Sequence, residues 1–317
     1  MDLALPQPTR IPTVIDDAPI LSPAARVHLM NSQSGFFESR DGTRLYYEAQ
    51  KPEGPASACV VIVHGYDDHA GRYQSLGQQL VNEGFSVFAF DYRGHGRAAG
   101  RRGYCGRFED FLDDLESALS VARDVAGPGP VVLLAQSNGG LIALRWLSER
   151  SRTAGSVDAA VFSSPYLGPA FRVSWFESLA LVVCSRFLPT LTFNNRLEPE
   201  NLTHDAQMIA SRKQDPLLHG IATARWCTES RRAQRELAGR IGLLALPTLW
   251  LIGDADRIAD PDISLQRYED AGGAKDLRVY AGFYHELFNE LGREQVNADV
   301  MAWLNARYGR PVNRTAR

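Results

Sequence analysis

The chain has 317 residues, of which 44% are hydrophobic and 22% are charged, and its formal net charge at pH 7 is −3. This length is enough to bury a large core in one big domain or two smaller ones. The basic residues are scattered, which argues against a nucleic-acid-binding protein, because such proteins gather Lys and Arg on one surface. No apolar run reaches the roughly 18 residues that a transmembrane helix needs, so we expect no membrane span.

The four cysteines lie far apart without CxxC spacing, and the seven histidines include no HExxH pair. We therefore expect no disulfide framework and no metal, and nothing in the sequence calls for an organic cofactor. Residues 1–34 are rich in proline and lack a basic start followed by an apolar run, so they do not resemble a secretory signal. They are predicted to form an irregular arm of a cytoplasmic protein that is at most peripheral to a membrane.

The predicted elements begin with a hairpin over residues 35–50, where Asp41-Gly42 marks the turn. Beyond it, short β-rich apolar runs alternate with helical patterns. The predicted strands are Ala58–Val63, Phe85–Phe90, Val131–Ala135, Val157–Phe162, Leu249–Ile252 and Leu277–Tyr280, and the clearest helices are Tyr73–Asn82, Phe108–Val125 and Gly139–Glu149. Most of the strands lack polar alternation, which is typical of parallel strands covered by helices on both faces. The pattern predicts an α/β fold with a mostly parallel central sheet.

The alternation stops after Pro165 and resumes near Pro247, and an insertion of this length is not expected to be a bare loop. Its clearest helical pattern is Trp175–Leu188, with apolar residues on one face. We expect a helical cap inserted after the sixth strand, lying over the sheet edge where such folds bind ligands. The predicted boundaries are 35–165 and 246–308 for the core, 166–245 for the cap and 309–317 for a C-terminal tail.

A serine follows a buried strand directly in the segment Val131–Gly140, and a helix begins just after it. The pattern Ala135-Gln136-Ser137-Asn138-Gly139 approximates the G-x-S-x-G nucleophile elbow, in which the serine occupies a strained turn between small neighbours. The alternative is a strand-to-helix turn in which Ser137 is only an N-cap. The rest of the sequence favours catalysis by Ser137.

A serine hydroxyl becomes a nucleophile when a base accepts its proton, and a carboxylate orients that base. Asp256 follows strand Leu249–Ile252, and His285 follows the last strand, which gives the chain order Ser, Asp, His typical of this elbow. Asp254 is the second candidate for the acid, and Asp260 is expected to cap the next helix. The predicted triad is therefore Ser137, Asp256 and His285.

Acyl transfer also needs donors for the oxyanion of the tetrahedral intermediate. In this fold they are the backbone N–H after the nucleophile and one from the loop after the third strand. The predicted donors are the N–H groups of Asn138 and Tyr66.

These residues resemble the monoacylglycerol lipase and lysophospholipase branch of the α/β-hydrolase superfamily, the serine aminopeptidase S33-like hydrolases. Segment His64–Tyr73 is similar to H-G-x-x-E-H-x-x-R-Y with Asp68 at the glutamate position, and Asp91–Gly96 matches D-x-R-G-H-G. The likeness spans about residues 35 to 308. Its departures are Ala98, where a serine is usual, and Ala135 and Asn138, where glycine and methionine are frequent.

The resemblance implies hydrolysis of an ester with one fatty acyl chain, such as a monoacylglycerol or a lysophospholipid, beneath a helical cap. It also implies that His64, His95 and Asp91 fix loops and that His69 helps to shape the pocket. The cap helix is apolar, so part of it is expected to pack on the core and part to line an acyl channel or to contact a membrane transiently. The expected pocket residues of the cap are Trp175, Phe176, Leu179 and Val183.

Two other functions remain open from the sequence. An aminopeptidase, an amidase or a carboxylesterase for other small esters would use the same triad. A ligand-binding module without catalysis is the alternative from another class, although it would have no need of all three triad residues. The sequence does not determine the oligomeric state.

Overall fold

The computed structural model describes residues 32–150, 157–171 and 173–309. The predicted N-terminal arm up to residue 31 and the predicted tail beyond residue 309 lie outside the described residues. Eight strands form one sheet: β1 (Ser32–Glu38), β2 (Arg44–Gln50), β3 (Cys59–Val63), β4 (Ser86–Asp91), β5 (Val131–Gln136), β6 (Ala159–Ser163), β9 (Thr248–Gly253) and β10 (Lys275–Tyr280). Their order across the sheet is β1-β2-β4-β3-β5-β6-β9-β10.

The sheet is mostly parallel, which confirms the predicted fold class. Only the first hairpin departs from this, because β2 pairs antiparallel with both β1 and β4. In the parallel part, Val61 of β3 lies between Phe88 of β4 and Leu133 of β5. Strand β1 begins at Ser32, so the last three residues of the predicted arm belong to the hairpin.

Helices cover both faces of the sheet. The described helices are α1 (Gln74–Asn82), α2 (Glu109–Ala126), α3 (Asn138–Glu149), α4 (Trp175–Phe187), α5 (Ala206–Gln214), α6 (Ala224–Ala238), α7 (Pro261–Asp270) and α8 (Arg293–Tyr308). Val61 and Val63 pack into the cluster with α2 and α3, whereas Val60 and Ile62 pack into the cluster with α1 and α8. Successive strand residues point to opposite faces, and both faces are buried, so the strands read as continuous apolar runs.

The insertion between β6 and β9 contains α4, α5 and α6, and it also contains a small sheet that the sequence did not predict. Strand β7 (Thr192–Asn194) pairs antiparallel with β8 (Ile221–Thr223). Each strand has three residues, and β7 is largely exposed. Neither strand provides the apolar run by which the other strands were predicted. Because it contains these strands, the insertion is not purely helical.

The parallel strands place several loops at one edge of the sheet, and helix α3 must come close to β3 to place Ser137 there. A Cβ on Gly139 would lie 2.1 Å from the carbonyl oxygen of Val63 and 2.5 Å from that of His64. Both contacts are with backbone, which cannot move away without distorting β3. Only glycine allows this approach of helix to strand.

We expect Gly139→Ala to lower the free energy of unfolding by about 2 kcal/mol, because the added methyl group overpacks this junction. The control is Gly239→Ala, where φ is −84° and the nearest atom to the added Cβ is 3.8 Å away. Chemical denaturation followed by circular dichroism measures both. Equal stability of the two variants would contradict the close packing at the junction.

Candidate active site

Ser137 occupies a strained turn between β5 and α3. Its φ is 52° and its ψ is −117°, a conformation that non-glycine residues rarely adopt. Backbone hydrogen bonds hold the turn: the N–H of Ser137 donates to the carbonyl oxygen of Ser163, and the N–H of Tyr166 donates to that of Ser137. Such strain persists only where the surroundings enforce it, and it is frequent at active sites.

The structure brings the three predicted triad residues into one hydrogen-bonded chain. His285 Nε2 lies 2.8 Å from Ser137 Oγ, and His285 Nδ1 lies 2.7 Å from Asp256 Oδ2. All three residues are buried, with 7%, 4% and 8% of the surface of Ser137, His285 and Asp256 exposed. The arrangement places a base beside the hydroxyl and a carboxylate behind the base, as nucleophilic catalysis by serine requires.

The acid and the base are fixed by backbone contacts. The second carboxylate oxygen of Asp256 accepts hydrogen bonds from the N–H groups of Ile258 and Ala259, at 2.8 and 3.0 Å. The side-chain amide of Gln136, next to the serine, donates to the carbonyl oxygen of His285 at 3.0 Å. These contacts limit the rotation of the carboxylate and hold the histidine loop beside the elbow.

The other two candidate aspartates have structural partners. Asp254 Oδ1 accepts a hydrogen bond from Gly282 N–H at 2.6 Å and so ties together the loops after β9 and β10. Asp260 accepts hydrogen bonds from the N–H groups of Asp262 and Ile263 at the start of α7. The prediction that Asp260 caps this helix is confirmed.

The predicted oxyanion donors both lie on the wall of a cavity that opens at Ser137. Within the described part of the chain, neither the N–H of Tyr66 nor that of Asn138 has a hydrogen-bond acceptor. The Tyr66 side chain is fixed, because its hydroxyl donates to the carbonyl oxygens of Gly103 and Ile221. A Cβ on Gly65 would lie 3.4 Å from the Ser137 Cβ, so this loop runs directly beside the nucleophile.

The polar residues of the two motif segments, His64–Tyr73 and Asp91–Gly96, hold loops in place. Asp91 accepts hydrogen bonds from the N–H groups of Ala70 and Arg97, each at 2.7 Å. The rings of His64 and His95 are fully buried, and each has its Nδ1 beside a backbone carbonyl oxygen. His69 Nε2 lies 2.8 Å from Asp215 Oδ2, and His69 is not among the residues that line the cavity at Ser137. The expectation that His69 shapes that pocket is therefore wrong.

Glu286, which directly follows the histidine, was missed by the sequence analysis. Its carboxylate accepts two hydrogen bonds from Arg72 and one from Arg212 near the end of α5. Burial raises the pKa of Glu286, but the two guanidinium groups outweigh it and hold that pKa at about 2. Arg72 also donates to Asp68 of its own motif at 3.0 Å, so the motif by itself gave no signal that pointed to Glu286.

The cavity above Ser137 has a volume of about 330 Å³ and mostly apolar walls. The cap contributes to it, but through other residues of α4 than expected. The lining includes Ser137, Asn138, Tyr66, Tyr166, Leu181, Cys184, Phe193, Trp226 and Ile258.

The four predicted pocket residues of the cap instead face solvent. Trp175, Phe176, Leu179 and Val183 have 66%, 64%, 56% and 49% of their surface exposed, and none of them lines the cavity. They share one face of α4, as the periodicity indicated, but the helix turns its opposite face inward, where Ser185 bonds to Thr228 of α6. The period of a helix identifies an apolar face without saying which way that face points.

The known proteins that this chain resembles are hydrolases and lipases. A family model described as serine aminopeptidase, S33, matches residues 54–292. The monoacylglycerol lipase of Mycolicibacterium smegmatis is 31% identical over 276 residues, which cover 84% of this chain and 95% of that protein. The phospholipase YtpA of Bacillus subtilis is 27% identical over 75% of this chain and 92% of that protein. The crystal structure of Paleococcus ferrophilus monoacylglycerol lipase superposes with a TM-score of 0.73 at 27% identity, over 83% of this chain and 98% of that one.

We expect Asp256→Asn to reduce kcat for ester hydrolysis by about 10⁴-fold, because an amide stabilises the wrong tautomer of the histidine. The matched control is Asp254→Asn, whose amide oxygen still accepts the hydrogen bond from Gly282. Steady-state kinetics with a short p-nitrophenyl ester compares the two. A larger loss in Asp254→Asn than in Asp256→Asn would reverse the assignment of the acid.

Proposed function

We propose that this chain, which belongs to the serine aminopeptidase S33 family of α/β-hydrolases, cleaves esters of a single fatty acyl chain through an acyl-enzyme on Ser137. The substrates would be monoacylglycerols or lysophospholipid-like esters. The observation that carries the proposal is the hydrogen-bonded chain Asp256–His285–Ser137 at the floor of a largely apolar cavity. The relatives named as monoacylglycerol lipase and phospholipase support the class of substrate.

In the acylation step, His285 Nε2 accepts the hydroxyl proton while Ser137 Oγ attacks the ester carbonyl carbon. The negative charge that develops on the carbonyl oxygen is stabilised by the N–H groups of Tyr66 and Asn138. His285 then donates its proton to the departing alcohol, and the acyl group remains on Ser137. Asp256 stabilises the imidazolium that exists between the two proton transfers.

Deacylation repeats these roles with water. His285 accepts a proton from a water molecule while the water oxygen attacks the carbonyl carbon of the acyl-enzyme. The same two N–H groups bind the second oxyanion. Collapse of this intermediate releases the fatty acid and returns the proton to Ser137. No residue outside this set is needed for the proton transfers.

The alternative activity on the same residues is removal of an amino-terminal residue from a peptide, which the description of the family suggests. An acidic side chain in the cavity would have to bind the substrate ammonium group. Among the lining residues described, the carboxylate is that of Glu177, which is engaged by Ser174 in a capping box and lies 3.5 Å from Arg196. These partners disfavour its use as an ammonium site, so the esterase is the better supported function.

We expect Ser137→Ala to abolish turnover of p-nitrophenyl esters and of monolauroylglycerol and to prevent labelling by a fluorophosphonate probe, because the nucleophile is lost. Ser148→Ala at the far end of α3 is the matched control and is expected to retain both. Circular dichroism checks that each variant is folded. Retained turnover in folded Ser137→Ala would disprove the mechanism, and a folded wild-type chain that is neither labelled nor turns over any ester would favour the ligand-binding module.

A substrate panel separates the two enzyme activities. Monolauroylglycerol and lauroyl lysophosphatidylcholine represent the esters, and aminoacyl p-nitroanilides represent the peptides. We expect kcat/KM to be higher for the esters, and a preference for the anilides would establish the aminopeptidase instead.

We also propose that the segment 166–245 forms the cap and that α4 contacts lipid surfaces transiently. The exposed face of α4 carries large apolar side chains, including Phe187 with 73% and Val182 with 58% of the surface exposed. Contiguous exposed apolar groups favour binding to proteins or membranes. No helix in residues 32–150, 157–171 and 173–309 is long and apolar enough to cross a membrane, so the proposed contact is peripheral.

The double variant Trp175→Asp/Phe187→Asp is expected to reduce binding to phosphatidylcholine vesicles by at least tenfold. Burial of each aromatic side chain contributes roughly 1.5–3 kcal/mol, and a charge at the interface opposes insertion. Leu291→Asp is the control, because Leu291 is also exposed (58%) but lies before α8. Co-sedimentation measures binding, and equal binding of the double variant and the control would contradict a contact through α4.

A further inference from the structure

One side of α6 forms part of the cavity wall above Ser137. The residues that it contributes are Trp226, Cys227, Ser230 and Arg231. Trp226 and Ser230 are one helical turn apart, as are Cys227 and Arg231, so the four residues form a continuous patch. Three of them carry hydrogen-bond donors, which is unexpected in a cavity with mostly apolar walls.

The guanidinium group of Arg231 has no acidic partner within the part of the chain that the structure describes. Its single hydrogen bond there is to the hydroxyl of Ser178, at 3.3 Å. Its neighbour Arg232, which points away from the cavity, has ion pairs to Glu109, Glu229 and Glu236. The contrast places an uncompensated positive charge on the cavity side of α6.

The other two polar groups of this patch are shielded. The Ser230 hydroxyl oxygen and the Trp226 indole nitrogen are buried, and neither has a hydrogen-bond partner among the described residues. Neither atom is open to the cavity, so the positive charge that a ligand would meet on this patch is the guanidinium group of Arg231.

The charge balance of the cavity points the same way. Among the lining residues that the structure describes, the charged ones are Glu177, Arg196 and Arg231, and Glu177 pairs with Arg196. Arg231 therefore gives the described part of the cavity wall a net positive charge. The patch and the nucleophile belong to the same cavity, because Ser137 also lines it.

We propose that Arg231 forms a subsite for an anionic group of the substrate, a phosphate or a carboxylate carried by the ester. This inference rests on the proposed esterase function and adds to it a preference for esters that carry a negative charge. A phosphate or a carboxylate provides the acidic partner that the Arg231 guanidinium group lacks. The apolar walls strengthen the attraction, since a charge pair interacts more strongly away from bulk water.

Two pairs of substrates test the charge and also locate it. Lauroyl lysophosphatidate and monolauroylglycerol differ by a phosphate on the alcohol side. The p-nitrophenyl half-ester of sebacic acid and p-nitrophenyl decanoate differ by a carboxylate at the far end of the acyl side. In one of the two pairs, we expect KM to be about tenfold lower for the anionic member, and the pair that shows the preference identifies the source of the charge.

The variants assign the preference to Arg231. Arg231→Gln should remove the tenfold ratio of KM values, and Arg231→Lys, which keeps a positive charge, should retain part of it. Arg235→Gln is the matched control, because Arg235 is exposed on the same helix and does not line the cavity. Equal KM values within both pairs for the wild-type chain, or an unchanged ratio in Arg231→Gln, would overturn the proposal.

A binding measurement makes this test independent of turnover. Calorimetric titration of Ser137→Ala with lauroyl lysophosphatidate and with sebacate should give, for at least one of them, a Kd about tenfold lower than that of Ser137→Ala/Arg231→Gln. Absence of any difference for both ligands would refute the anionic subsite even if the chain hydrolysed no ester. Hydrolysis of the neutral esters without anion preference would refute only the subsite and leave the proposed esterase standing.

Discussion

The 2.8 Å contact between Ser137 Oγ and His285 Nε2 joins residues 148 positions apart, and the site depends on it. A parallel sheet makes this contact attainable, because all its parallel strands end at the same edge and every following loop begins there. The distance still requires a turn that lifts the serine above the sheet. The positive φ of Ser137 and the close packing of Gly139 against β3 provide that turn. The backbone geometry of the elbow, residues 135–139, thus decides whether the side chains of Ser137 and His285 meet.

The loops around the site are held by buried charges. Glu286 joins Arg72 of the loop after β3 to Arg212 near the end of α5, so one carboxylate connects the histidine loop, the core and the cap. Removing charges from water is costly, and such a group is stable only while every member keeps its partners. Arg212 of the proposed cap is therefore tied, through Glu286, to the residue that follows His285, so we expect a change at this boundary to act on the proposed catalytic histidine without touching substrate.

The sequence predicts the core well because continuous apolar strand segments alternate clearly with helical patterns there. Strands such as Val131–Gln136 are buried on both faces, and the residues that follow each strand lie at one edge. The elbow pattern at Ser137 and the positions of Asp256 and His285 after later strands were therefore enough to predict that the three meet. The cap is predicted less well. Its strands β7 and β8 are too short to give a pattern. The apolar face of α4 points outward because tertiary packing, which no local pattern contains, buries the opposite face. The partners of Glu286 were hidden for the same reason: Arg212 is 74 residues away.

The outward apolar face of α4 also bears on how this protein behaves in water. Its capping box at Ser174 and Glu177 satisfies the helix start locally, so the helix does not rely on burial of Trp175 or Phe187 to keep its shape. An apolar surface kept in water favours self-association, and selection for solubility alone would replace such residues with charged ones. Their presence is thus a cost in colloidal stability, and a more soluble form of this protein would be obtained first by changing this face, at the expense of whatever that face binds.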